Sequence, residues 1–473
     1  MKQVLKNFLY NSLYQILVMF IPLITAPYLA RVIGAEGVGK YSYAYSVAYY
    51  FQIFIKLGLD TYGNRTIALH KENKEDLQST FWSIYFMQLF CGIIFITLYL
   101  GYTVLLAKDT TAAWLLLLFV FSGVFDVNWF FNGLEKFKLT SIRNSLIKIS
   151  ATICIFAFVK DYTDIYVYIF VMAASFLLSQ LVMWPFVFKE VSFEFPQISK
   201  ILPHFKPNAV LFIAILAVSL YRYMDKIMLG SIINEAEVGF YENADKLMQI
   251  PISFVNALGI VMLPRMSAIY ARGDDQKKTS NVILMSIIFA MALSSSICFG
   301  IMSVSEVLIP IFFGPGFERC IILIKILMLS CLFMCFANVI RTQYIIPKKK
   351  DIVFVSTIAL GAVVNIIINT LLIPAFGAAG AAVGTLTAEM TVCLSQVFLV
   401  RRDLDIKRFV LYSFPFIFSG IVMYFVVTAF QRNVTPSFAL LIEETGVGAI
   451  TYILVLMLII LPIREKYIKL IHK

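Results

Sequence analysis

The sequence predicts an all-α integral membrane protein: about fourteen transmembrane helices, in two pseudo-symmetric six-helix lobes around a central cavity plus two extra helices, with both termini cytoplasmic. Three observations predict it. The apolar excess is too large for a water-soluble fold of this size, apolar runs of spanning length recur along the whole chain, and basic residues alternate between successive loops.

Of the 473 residues, 60% are hydrophobic and 14% charged, with a mean hydropathy of +0.86. A soluble domain is nearer half apolar and a quarter charged. Surface area keeps growing with mass, so a soluble chain of this length could not hide the excess, which must face lipid. The 24 Tyr and 43 Phe suit bilayer interfaces and helix contacts. The net charge is +11 and the pI near 9.1. Because Lys and Arg lie in short clusters between apolar runs, the charge is read as a loop bias and not as a nucleic-acid surface.

A bilayer core of about 30 Å takes about 20 helical residues. With that ruler the predicted spans are 8–30, 41–62, 79–103, 112–131, 144–160, 165–188, 207–229, 238–262, 279–301, 320–341, 352–373, 378–400, 409–430 and 439–462. The first run is longer than the apolar core of a signal peptide and reads as a spanning helix. With both termini inside, and with Lys148, Lys160 and Arg341 counted with the loops they adjoin, the inner segments hold 28 of the 39 Lys and Arg, the outer segments 6, and the spans the other five. This contrast supports an even helix count and cytoplasmic termini, hence a multi-pass protein of the cell membrane. The longest loop, Lys189 to Lys206, has room for a small amphipathic turn and for no catalytic domain.

A repeat divides the chain. Val38-Gly39-Lys40-Tyr41 opens the second helix and Val238-Gly239-Phe240-Tyr241 opens the eighth, an offset of 200 residues. LIPAFGAAGAAVG, around Gly377 and Gly380, repeats the theme more loosely. Six helices of offset with the same orientation imply a parallel repeat, a common transporter plan. The expected organisation is an N-terminal six-helix lobe (1–188), a cytoplasmic linker (189–206), a C-terminal six-helix lobe (207–400), and two additional helices with a cytoplasmic tail (401–473).

Charges inside the spans mark candidate sites, since one at the bilayer centre costs about 2.5–3.5 kcal/mol on insertion scales. On the seventh helix Arg222, Asp225 and Lys226 fall at i, i+3 and i+4, on one face. The eighth carries Asp245 and Lys246, and the tenth Lys325. Near the inner face lie Lys56 and Asp60 on the second helix, Asp126 on the fourth, and Arg143 and Lys148 leading into the fifth. Glu389 on the twelfth is closest to the midplane. Two cations beside a lone carboxylate on the seventh helix leave a positive surplus that a water-filled cavity can solvate and lipid cannot. Such a cavity suits an anionic substrate.

No metal or cofactor is expected. His70, His204 and His472 have no ligand spacing. The seven cysteines sit mostly inside apolar runs, where they read as small buried residues, including Cys331 and Cys335 one turn apart.

The stretches GKYSYAYSVAYYFQIFIKLGLDTYGNRTIA (39–68), FDVNWFFNGLEKFKLTSIRNSLIKI (125–149), LYRYMDKIMLG (220–230), VGFYENADKL (238–247), VMLPRMSAIY (261–270) and LIPAFGAAGAAVGT (372–385) follow one another in an order and spacing that resembles a Wzx-type oligosaccharide flippase. That group is the polysaccharide-transporter branch of the superfamily holding MATE multidrug exporters and lipid II flippases. The resemblance implies a substrate, an undecaprenyl-pyrophosphate-linked oligosaccharide repeat unit moved from the cytoplasmic to the outer leaflet. It also implies a polysaccharide polymerase and a chain-length regulator as partners, and no nucleic acid. With that reading, Arg222, Lys226, Lys56, Arg143 and Lys325 are candidates for phosphate or sugar contacts. Asp60, Asp126, Asp225, Asp245 and Glu389 are candidates for counter-ions or ion coupling.

Two other classes compete. A MATE-like ion-coupled exporter of cationic molecules would line its path with acidic and aromatic groups, against the cation-rich set here. A membrane-embedded polymerase or glycosyltransferase commonly presents catalytic residues on a large outer loop. The one acidic pair in the outer loops, Glu443-Glu444, reads as a solvated loop edge or helix start.

Overall fold

The protein is described by a computed structural model covering residues 2–272, 276–431 and 435–463. Those residues are helical, with short turns between helices and no strand among them. The chain forms two compact units, Met1–Gly230 and Ser231–Lys473.

The first unit holds α1 (Lys2–Lys56), α2 (Leu59–His70), α3 (Lys74–Leu105), α4 (Thr110–Phe125), α5 (Asn128–Gly133), α6 (Phe137–Phe158), α7 (Ile165–Leu181), α8 (Trp184–Glu190), α9 (Ile198–Ile201) and most of α10 (Phe205–Ile232). The second holds α11 (Glu235–Arg272), α12 (Gln276–Phe312), α13 (Arg319–Ile340), α14 (Asp351–Phe376), α15 (Ala378–Val400), α16 (Ile406–Phe430) and α17 (Phe438–Ile460). Twelve stretches from α3 onward are long and apolar enough to span. The 55 residues of α1 reach roughly 80 Å at about 1.5 Å per residue, enough for two more spans. Gly34 divides it there, at φ 68° and ψ −179°, a conformation that costs a glycine little. With the two halves of α1 counted by length, the described residues hold the fourteen long helices that the sequence predicts, twelve of them apolar enough to span.

Three boundaries differ from the sequence reading. The second span ends at Lys56, not at 62, because Leu57 takes a positive φ of 50° and turns the chain. Asp60 therefore lies on the separate helix α2. A Cβ on Gly58 would meet the Asn208 carbonyl at 2.6 Å, so only glycine lets α10 approach this turn. The fifth span begins at Phe137, seven residues early, which puts Arg143 inside α6 and not before it, and Lys148 deeper within it. Finally, α4 stops at Phe125 and Asp126 sits in the break before α5.

In the first unit α1 packs on α3, α4 and α6, and α4 on α7. Leu29, Ile33, Ile55, Phe119 and Ile169 are buried in that core. A second cluster gathers α2, α3, α5 and α8 around Phe81, Trp129 and Phe130. In the second unit the closest helix pair is α14 with α15, where a Cβ on Gly380 would meet the Leu372 carbonyl at 2.5 Å. Small residues at such contacts are the usual means of packing helices in lipid, where dispersion and not water release drives association.

Candidate functional site

The break in the fourth span creates a buried problem and a buried solution. Ending α4 at Phe125 frees backbone carbonyls that water cannot reach, each costly unless paired. Gln88 on α3, fully buried, donates to the Gly123 carbonyl at 2.7 Å and the Asp126 carbonyl at 3.0 Å. The indole of Trp129 in turn donates to the Gln88 amide oxygen at 3.1 Å. The break is thus built in by α3.

The Asp126 carboxylate accepts from the Asn128 backbone N–H at 2.9 Å and its amide at 2.6 Å. Its other oxygen meets Lys56 Nζ at 2.7 Å, and the same ammonium reaches Asp60 at 2.9 Å. The Asn128 amide oxygen accepts from Arg143 Nη2 at 2.7 Å, while Arg143 Nη1 donates to the Ser179 carbonyl at 2.7 Å. Four predicted site residues, Lys56, Asp60, Asp126 and Arg143, therefore meet in one network with Asn128, Asn144 and Gln180. Their charges are matched against each other, and Arg143 is only 5% exposed.

The seventh span differs. Asp225 and Lys226 are buried, at 2% and 7% exposure, whereas Arg222 is exposed. Both cations lie beside the Tyr223 ring, at 5.9 Å for Arg222 and 5.8 Å for Lys226. Tyr223 in turn packs against Tyr49 of α1, with ring centroids 4.1 Å apart and the planes tilted by 32°. The hydroxyl of Tyr50 donates to the Ser219 carbonyl at 3.1 Å and ties α1 to α10 at the same level.

In the second unit the candidates stand apart from one another. Lys325 pairs with Glu306 at 2.9 Å. Asp245 accepts from Gln249 at 3.2 Å, and Lys246 lies 3.7 Å from Glu242. Glu389 is buried on α15, one turn from Cys393. A groove of about 600 Å³ runs between α12, α16 and α17, lined by Gly300, Met423, Gly448 and Tyr452 and bordered by Glu444. Glu444 is fully buried in the second turn of α17, near the helix start that is one of the two readings from sequence and not at a solvated loop edge, and accepts a long 3.4 Å bond from Gln431. No group of three or more His, Cys, Asp or Glu among the described residues is arranged to hold a metal ion.

Charge pairs also join helix starts. Lys40 meets Asp109 at 3.0 Å; Asp109 caps α4 through the Ala112 N–H at 2.9 Å and accepts from the Tyr166 hydroxyl at 3.0 Å. Partial burial pushes the Asp109 carboxyl up, but the Ala112 N–H, Lys40 and Tyr166 together hold it below its ordinary value. Glu237 pairs with Arg319 and accepts the Ala378 N–H at 2.7 Å, capping α15.

Sequence reasoning missed Gln88, Asn128, Tyr49 and Tyr223. Gln88 had a signal, an amide inside an otherwise apolar run. The tyrosines had none beyond their spacing.

A family model described as "Polysaccharide biosynthesis protein" matches residues 4–270. A protein of Escherichia coli (strain K12) named "Putative O-antigen transporter" is 22% identical over 408 residues, 84% of this chain and 97% of that protein. The fold is similar to the lipid II flippase MurJ in an inward closed conformation, with a TM-score of 0.76, 15% identity, and 97% of this chain and 99% of that one covered. It is similar also to an inward-facing multidrug resistance MATE family transporter, with a TM-score of 0.59, 14% identity, and 81% and 97% covered. The chain belongs to the polysaccharide biosynthesis protein family and is a multi-pass membrane protein.

Proposed function

We propose that the protein moves an undecaprenyl-pyrophosphate-linked oligosaccharide repeat unit from the cytoplasmic to the outer leaflet, by alternating access, to supply capsule, exopolysaccharide or O-antigen-type assembly. The termini are then cytoplasmic, the six-helix repeats 1–188 and 207–400 are the moving parts, and 401–473 is an appendage. A polymerase and a chain-length regulator consume the product. The observation that carries the reading is Arg222 and Lys226 flanking Tyr223 on α10. An isolated charge moved into hydrocarbon costs tens of kcal/mol by Born arguments. Fixed cations offset that cost for the pyrophosphate while the polyprenyl chain stays in lipid. Lys56 and Arg143 lie apart from that pair, in the network with Asp126, Asp60 and Asn128.

The test is a leaflet-accessibility assay of lipid-linked oligosaccharide in cells carrying only the variant protein. Arg222→Glu should abolish outer-leaflet exposure at normal protein level, because attraction becomes a repulsion of several kcal/mol at an effective dielectric of about 20. Arg222→Lys should keep part of the activity, since the charge survives and the planar two-pronged geometry does not. Normal exposure in Arg222→Glu would take this residue off the substrate path.

A further inference from the structure

A row of tyrosines leads away from those cations. On the half of α1 that follows Gly34, Tyr41, Tyr45 and Tyr49 recur every fourth residue and so share one face. Their ring centroids lie 5.6 Å apart from Tyr41 to Tyr45 and 6.2 Å apart from Tyr45 to Tyr49. Tyr223 closes the row against Tyr49 at 4.1 Å and lies 6.3 Å from Tyr45. Phe119 and Phe176 back Tyr45 at 4.7 and 6.0 Å, and Tyr168 backs Tyr41 at 4.8 Å. All four tyrosines are half-buried. From Tyr41 to Tyr49 the helix rises about 12 Å at roughly 1.5 Å per residue, more than one sugar ring.

Packing alone does not account for the phenols of Tyr49 and Tyr223. Phenylalanine would fill the same space without carrying a hydroxyl into a spanning region, where an unpaired polar group is costly. The hydroxyls of Tyr49 and Tyr223 make no hydrogen bond within the described residues. A pyranose ring presents an apolar C–H face and a rim of hydroxyls. An aromatic face with a free phenol at its edge matches both.

We propose that Tyr41, Tyr45, Tyr49 and Tyr223 form a carbohydrate track, on which the sugars of the substrate stack while Arg222 and Lys226 hold the adjoining pyrophosphate. The track rests on the flippase reading and adds a sugar subsite to it. Stacking on ring faces grips many different sugars weakly and in succession. That suits a carrier which must release its cargo.

The test uses the full-length purified protein and two probes, undecaprenyl pyrophosphate and the same lipid bearing one N-acetylglucosamine. The wild type should bind the glycosylated lipid about tenfold more tightly, a difference of about 1.4 kcal/mol. Tyr45→Leu with Tyr49→Leu should erase that preference and leave the affinity for the bare lipid unchanged. The matching pair of Phe substitutions should keep most of it. Should the leucine pair lower thermal stability, Tyr49→Met, with an adaptable side chain, supplies the same comparison. The track is refuted if the wild type binds both lipids equally, or if the stable variants keep the full sugar preference. Binding of neither lipid by the wild type would overturn the pyrophosphate reading itself, and the track with it.

Discussion

The two units solve the same packing problem with different chemistry. At the offset of 200 residues, Lys56 on α1 corresponds to Asn256 on α11. Lys56 reaches the end of the fourth span and pairs with Asp126 at 2.7 Å. Asn256 reaches the tenth span and accepts from the Asn338 amide at 2.6 Å. One unit therefore joins these helices by an ion pair and the other by a neutral amide pair. The helices differ to match. In the first unit the chain turns at Leu57, whereas α11 runs on past Asn256 to Arg272 despite Pro251 and Pro264. Helix starts show the reverse pattern: Lys40 pairs with Asp109 in the first unit and Glu237 with Arg319 in the second, so the joint is kept and its polarity inverted. The repeat preserves places where helices are tied and leaves the tying groups free to change.

The largest expected effect comes from breaking the charged tie. Removing one partner of a buried pair typically costs about 3–5 kcal/mol, because the other charge is left unmatched. Lys56→Met should therefore lower the melting temperature in detergent sharply. The double variant Lys56→Asn with Asp126→Asn copies the second unit and should recover most of that loss. If the double variant also restores glycan export, the pair only ties helices. A folded double variant without export would assign Lys56 a substrate contact and end the equivalence of the two ties.

The neutral tie should matter less. Asn338→Leu removes the bond to the Asn256 amide, which is exposed, at a cost of about 0.5–1.5 kcal/mol. Gly259 limits any repacking, since its missing Cβ would sit 3.2 Å from Asn338 Oδ1 and 3.1 Å from Thr342. A loss in melting temperature equal to that of Lys56→Met would show that charge is not what separates the two ties.

The spans were legible in the sequence because the bilayer imposes them: each backbone group must be paired within a helix, so length and hydropathy suffice. Even α1, one continuous element, betrayed its two spans through their length and the glycines between them. The intramembrane charges were legible for a similar reason, being too costly to be incidental. Their partners were not. Lys56 and Asp126 are 70 positions apart, and the break that aims Asp126 is made by Gln88 on another helix, so local pattern carries no trace of it. Arg143 looked like a loop residue because α6 starts early, in a stretch of Phe137, Lys138 and Leu139 that hydropathy alone scores as an interface. The tyrosine row was hidden for the opposite reason: in a chain so rich in aromatics, four more carry no signal until their rings are placed.

The smallest expected effect concerns the inverted joint at the helix starts. Asp109→Asn keeps the cap on α4, since Asn caps as well as Asp, and removes the carboxylate oxygen that pairs with Lys40 and accepts from Tyr166. An ion pair this open to solvent is worth up to about 1 kcal/mol, so the melting temperature near neutral pH should fall by a few degrees at most. The acid limb discriminates better. The Asp109 carboxyl is held below its ordinary value of 3.8, so its contribution to stability is complete above that value and lost as pH falls through the lowered one. Wild-type stability should therefore fall more steeply than that of Asp109→Asn below about pH 4, with the two curves converging once the wild-type carboxyl is protonated. Parallel curves throughout would mean that Lys40 and Asp109 share a place without sharing energy. The joint in the first unit would then be a cap alone, and its inversion in the second unit would be a coincidence of sequence and not a swap of equivalent charges.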